Sequence, residues 1–203
     1  MQSYALYRVV ETLRILVFVT ATIILLHFYP ISAFLLIVLA LLNDLPIIAV
    51  STDNVVYSEE PEKWNMKYIG GLSAILGSLG AGETLLLIYV GLDVFHLGIP
   101  AILSLVFLKL IVSGHLTMFV TRTEKAFWKV APSKALLVAL LSTMVIGYLM
   151  AAFGIGITPV GEALAGFVTA YSFAWFIAED GLRLAYDRMV GHPSLSQSDR
   201  QLA

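Results

Sequence analysis

Ionisable side chains set among long apolar runs are the residues of this sequence best placed to do chemistry. Asn43 and Asp44 stand in LALLNDLPII, directly before Leu45 and Pro46. Proline lacks an amide proton and clashes with the preceding turn, so a helix broken here frees carbonyls such as those of Leu42 and Asn43. A carboxylate, an amide and unpaired carbonyls at membrane depth make a cation or proton site. Glu11 and Arg14 lie three residues apart, so they share a helical face and can neutralise each other. Glu11 sits near one end of its apolar run, whereas Arg14 is too deep for an easy exit by that end. A structural reading stands beside the ionic one, with Asp44 held in a salt bridge to Arg14 and nothing carried. The residues alone leave both readings open.

Further along, Glu83 and Lys109 each fall midway through an apolar run, where an unpaired charge is costly. They are expected to form an interhelical pair. His115, in SGHL, reads as a packed, hydrogen-bonded histidine rather than a ligand, and Glu162 as a residue reaching the membrane interface. No metal site is expected. The chain has no cysteine, which excludes disulfides and thiolate chemistry. Its glycine-rich run lacks the Lys-Ser/Thr pair of a phosphate-cradling loop. With no Ser/His/Asp set either, the chain carries no catalytic machinery, and hydrolysis of ATP is not expected of it alone.

The elements that position these residues follow from composition. Of 203 residues, 59% are hydrophobic and 13% charged, against about 25% charged in an ordinary soluble domain. Spanning a bilayer core takes about 20 apolar residues of helix, and six stretches qualify: 4–27, 31–50, 68–92, 99–121, 133–153 and 158–178. The expected fold is all-α and polytopic, six transmembrane helices arranged as three hairpins, the first of them tight. Lys63, Lys67, Arg122, Lys125, Lys129, Lys134, Arg183, Arg188 and Arg200 all follow even-numbered segments, and the three opposite turns hold no Lys or Arg. By the positive-inside rule both termini are cytoplasmic. The expected division is a membrane domain over 1–178, then a juxtamembrane helix and flexible Ser-rich tail over 179–203. In the third segment Ser73, Gly77 and Ala81 form one stripe of small residues, and Gly70, Ala74, Ser78 and Gly82 a second. Such stripes let helices approach closely in lipid.

Four passages carry a resemblance: YRVVETLRIL, LALLNDLPIIAVSTDNV, EKWNMKYI and SGHLTMFVTRTEKAFW. In order along most of the chain, they resemble the fifth to tenth membrane helices of P-type ATPases of the plasma-membrane proton-pump subgroup. The resemblance implies that Asp44, in NDLP, takes up and releases the transported proton. It also implies that Arg14, in TLRIL, lies near that carboxylate and favours its ionised form on the release side. Asn43, Pro46 and Glu11 would be supporting residues. Leu45 stands where some relatives have glycine, and Glu11 is an added acid. The phosphorylated-aspartate motif, the nucleotide-binding and actuator domains and the first four membrane helices of such pumps are absent from this sequence. ATP and Mg2+ are therefore expected as cofactors of a complete pump and not of this chain. Met1 is read either as an internal methionine of a longer frame or as the start of a separate chain that assembles with an N-terminal half.

The leading expectation is thus the transport-domain part of a proton- or cation-translocating ATPase in the plasma membrane. Its partners would be the lipid bilayer, a proton or other small cation, and an N-terminal pump half or further copies of itself, with no nucleic acid. A passive ion transporter and a non-transporting membrane scaffold or regulatory subunit are the alternatives.

Overall fold

The computed structural model describes residues 2–50, 53–54, 66–122, 127, 129 and 131–190. It contains helices α1 (Gln2–Leu26), α2 (Ala33–Val50), α3 (Met66–Tyr89), α4 (Ile99–Thr121), α5 (Lys134–Phe153) and α6 (Gly161–Val190). A π-helical turn, Val90–Val94, extends α3. All six helices are long and apolar enough to cross a membrane, and there is no strand among the described residues. Helices are the economical solution there, because hydrocarbon offers no partner for a free backbone amide or carbonyl. Ile24, Leu25, Leu41, Ile48, Val138 and Ile177 all point outward, as lipid-facing side chains must. The expectations for Lys63, Lys125 and Arg200, for part of the EKWNMKYI passage and for the Ser-rich tail fall outside the described residues.

The turns carry the expected stop signals. Gly154 closes α5 in a left-handed conformation at φ 76°, and its amide donates to the Met150 carbonyl at 2.9 Å. A side chain there would have to enter Pro159 as well as that strained backbone. Ser133 caps α5, its hydroxyl accepting from the Leu136 amide at 3.2 Å. Pro100 sits in the first turn of α4, where its missing amide costs nothing.

Helix α4 is the axis of the bundle. Every residue from 104 to 118 is buried, and each of the other five helices touches it. The first hairpin departs from expectation: α1 packs mainly along α3 and α2 mainly along α5, although residues 27–32 join them directly. Two further expectations are corrected. Helix α2 runs unbroken through Pro46 to Val50, so no unwound turn forms at the NDLP motif. Helix α6 does not stop at Ala178 but continues to Val190, which carries Glu179, Asp180 and Arg183 into the bundle as buried residues. The membrane domain therefore has no helix boundary at residue 178.

Only one of the two small-residue stripes of α3 is used. Ser73, Gly77 and Ala81 are buried, whereas Gly70, Ala74, Ser78 and Gly82 face outward. At Gly77 an added Cβ would lie 2.8 Å from the Leu13 Cβ and 3.3 Å from the Val10 carbonyl. The obstacles are the near parts of α1 rather than a flexible tip. Gly77→Val is accordingly expected to destabilise the bundle by about 1–3 kcal/mol, the usual cost of overpacking. Gly82→Val, with nothing within 4 Å, should stay within about 0.5 kcal/mol of the parent. Unfolding titrations of the two variants in mixed detergent micelles measure the contrast.

Candidate ion site and buried charge cluster

Helix α1 aims Arg14 at the centre of the bundle, where it is completely buried. Its guanidinium is shared among three helices. One terminal nitrogen, Nη1, donates to Glu11 Oε2 at 3.2 Å and to Ser113 Oγ at 3.3 Å. The other, Nη2, donates to Thr117 Oγ1 at 2.8 Å and to Glu179 Oε1 at 2.7 Å. Gly80 of α3 provides the space, since a Cβ there would overlap the Arg14 side chain. One layer away Lys109 pairs with Glu83, both fully buried, and also donates to the Gly80 carbonyl at 3.3 Å. Tyr171 of α6 braces this layer by donating to the Glu83 carbonyl at 2.7 Å. Taking such charges out of water costs several kcal/mol per ion, and close, hydrogen-bonded pairing offsets it.

Asp44 occupies a different setting. It lies on the outer face of α2 with its side chain 58% exposed, and the cation beside it is Arg8, at 3.6 Å. The expected proximity of Arg14 to Asp44 is corrected here, because Arg14 turns inward to Glu11 and Glu179. Arg8 is two turns closer to the start of α1. Asn43 faces the bundle, buried, and its Oδ1 has no hydrogen-bond partner. Pro46 has no amide to offer the Leu42 carbonyl one turn back. The NDLP segment thus presents an unpartnered amide oxygen without any break in the helix.

A third cluster ties the end of the bundle where α2 and α4 finish. Asp53 is buried, accepts from Arg122 at 2.8 and 3.0 Å, and also accepts from the Ser133 amide at 2.8 Å. Burial pushes the Arg122 guanidinium down from its ordinary value, and Asp53 opposes that shift. This contact joins the TDN and VTR segments of the sequence to the start of α5. His115 is buried between the Ile111 carbonyl (2.7 Å) and Thr143 Oγ1 (2.6 Å). Glu162 is exposed in the first turn of α6. No group of His, Asp and Glu that would hold a metal ion occurs among the described residues.

Glu179, Ser113, Thr117 and Arg8 are functional candidates that reading by apolar runs passes over. Helical spacing marks most of them. Lys109, Ser113 and Thr117 recur every four residues on α4, and Ser172, Phe176, Glu179 and Arg183 recur at intervals of three or four on α6. Lys109→Met should cost about 3–5 kcal/mol by leaving the Glu83 charge without a partner. Adding Glu83→Gln should restore most of that loss. A double-mutant cycle on unfolding in mixed micelles checks both values.

No family model matches the chain. A protein of Methanocaldococcus jannaschii assigned as a cation-transporting ATPase is 44% identical over 186 residues, which are 91% of this chain and 23% of that protein. The plasma membrane ATPase of Kluyveromyces lactis is 29% identical over 157 residues, 76% of this chain and 17% of its own length. Plasma membrane ATPase 1 of Saccharomyces cerevisiae is 28% identical over 157 residues, with the same shares. The chain therefore spans less than a quarter of each of these relatives. It is homologous to P-type cation-transporting ATPases, and its six apolar helices fit the C-terminal transmembrane half of that family.

Proposed function

We propose that this chain is the ion-carrying membrane part of an ATP-driven cation or proton pump, and that Asp44 is the carboxylate that takes up and releases the ion. One observation carries the reading. Asp44 stands in an apolar helix with its side chain open on the outer face, one residue after Asn43, whose buried amide oxygen has no partner. Among the described residues, the buried acids of the helices, Glu11, Glu83, Glu179 and Asp180, each lie against a buried cation. Beside Asp44 stands Arg8, at 3.6 Å, with both side chains open on the face of the bundle. Arg8 is thus the cation placed to favour the ionised form of Asp44 when the ion leaves, a role first expected of Arg14. Arg14 instead anchors the helices around it.

The rest of such a pump would supply the coupling. ATP and Mg2+ would be handled by parts outside this segment, and an N-terminal half would cover the face of α2 on which Asp44 lies. The end of the bundle bearing Lys67, Arg122, Lys129, Lys134, Arg183 and Arg188 would face the cytoplasm. The plasma membrane is the proposed location, supported by the likeness to plasma membrane ATPases of two yeasts.

The test is ATP-driven ion uptake into vesicles by the complete protein that carries this segment. Asp44→Asn is expected to lower uptake at least tenfold per amount of folded protein. Full uptake by the variant would remove Asp44 from the ion path. Passive flux through the six-helix chain alone, abolished by the same substitution, would establish the passive-transporter reading instead. An Asp44→Asn variant that binds and stabilises a pump as well as the parent would point to the scaffold reading.

A further inference from the structure

The buried cluster around Arg14 contains more negative than positive groups. Three carboxylates, Glu11, Glu83 and Glu179, face two cations, Arg14 and Lys109, so full ionisation leaves one negative charge in excess. All five side chains are more than nine-tenths buried. An uncompensated charge at this depth is strongly unfavourable. The cluster also leaves polar atoms unmatched, since Glu11 Oε1, Glu83 Oε2 and Arg14 Nε are buried without a hydrogen-bond partner. Glu11 Oε1 points at α4, 3.2 Å from where a Cβ on Gly114 would stand.

We propose that this cluster is a proton-binding site separate from Asp44, and that Glu179 holds an exchangeable proton there. A metal cation is disfavoured, since Arg14 and Lys109 already occupy the approaches to the carboxylates. A proton converts the cluster into two ion pairs, Glu11 with Arg14 and Glu83 with Lys109, plus one neutral acid. Hydrogen bonding selects which acid is neutral. The free oxygens of Glu11 and Glu83 make no hydrogen bond that could hold a proton between two groups. A proton on Glu179 Oε2 meets Thr117 Oγ1 at 3.0 Å. The Thr117 hydroxyl can then give its own proton to the Ser113 carbonyl at 2.8 Å, while accepting from Arg14 at 2.8 Å. Glu179 Oε1 remains free to accept from Arg14. Every group on Thr117 and Glu179 is then satisfied.

The charged neighbours from each packed element are accounted for. Arg14 and Glu11 come from α1, Glu83 from α3 and Lys109 from α4. On α6 itself, Arg183 lies against both Asp180 and Asp187, and the phenol of Tyr7 on α1 lies near Glu11 and Arg14. Helix α5 carries a single charged residue, Lys134, at its first position and on the surface. The inference rests on this charge balance and does not require Asp44 to carry an ion.

Infrared spectroscopy of the full chain in lipid vesicles tests it. The carbonyl stretch of a protonated carboxylic acid in apolar surroundings is expected at neutral pH, shifting in heavy water as the proton exchanges. Asp44→Asn should leave this band in place, and Glu179→Gln should remove it. Glutamine imitates the neutral acid, so Glu179→Gln is also expected to unfold at the same detergent concentration as the parent. A band that survives Glu179→Gln, or no band at any pH where the chain is folded, would overturn the proposal. Marked destabilisation of Glu179→Gln at neutral pH would overturn it too, because it would mean that the ionised carboxylate is what the bundle needs.

Discussion

A guanidinium in the middle of an apolar bundle needs acceptors from every side, and meeting that need at Arg14 organises much of this molecule. Its two terminal nitrogens reach Glu11 on its own helix, Ser113 and Thr117 on α4, and Glu179 on α6. Gly80 on α3 yields the volume. Four helices are thereby fixed in rotation as well as in position, since turning any of them by one residue removes a partner or fills the cavity. Between helices in lipid the hydrophobic effect offers little, and close packing with polar contacts supplies what holds them. The buried face of α3, with Ser73, Gly77 and Gly80, brings α1 close enough for these contacts to form.

Helices α2 and α5 stand outside this polar lock. The buried residues of α2 are Leu35, Leu39, Asn43 and Pro46, and it rests on α5 and α4 chiefly through apolar contact. At its far end the Asp53–Arg122–Ser133 contacts tie the chain just beyond α2 to the ends of α4 and α5. The architecture divides into a rigid group bound by buried charges and a helix held by side-chain packing and one terminal anchor. The carboxylate proposed to exchange an ion lies on the second kind of element.

The six helices were legible because lipid imposes a length, and a run of about 20 apolar residues announces itself without any partner. Ile99–Thr121 was read to the residue. What an average over a run does not show is direction. Glu179 was assigned to a polar tail because the residues after Ala178 are charged, yet it shares a face with Ser172 and Phe176 and turns inward. Arg14 was placed near Asp44 by resemblance, whereas the side chains around it in space come from α4 and α6, roughly 100 and 165 positions away along the chain. Pro46 misled in another way. A proline interrupts one backbone hydrogen bond, but packing of α2 on α4 and α5 keeps the helix continuous across it.

Magnitudes separate the two kinds of ion pair in this structure. Carrying one charge against 100 mV takes about 2.3 kcal/mol. Removing one partner from a buried pair such as Glu83–Lys109 costs about 3–5 kcal/mol, more than that step of transport involves. A pair like this suits a fixed framework and is a poor choice for a group that must change state in every cycle. The Arg8–Asp44 pair is longer, at 3.6 Å, and both side chains lie open on the face of the bundle. Asp44 is therefore open to an exchanging ion or a covering element in a way that the enclosed Glu83 is not. The same comparison explains how a bundle with so many internal charges can keep one carboxylate available: its enclosed ion pairs hold the helices, and the acid proposed to meet the ion is left open on the outer face.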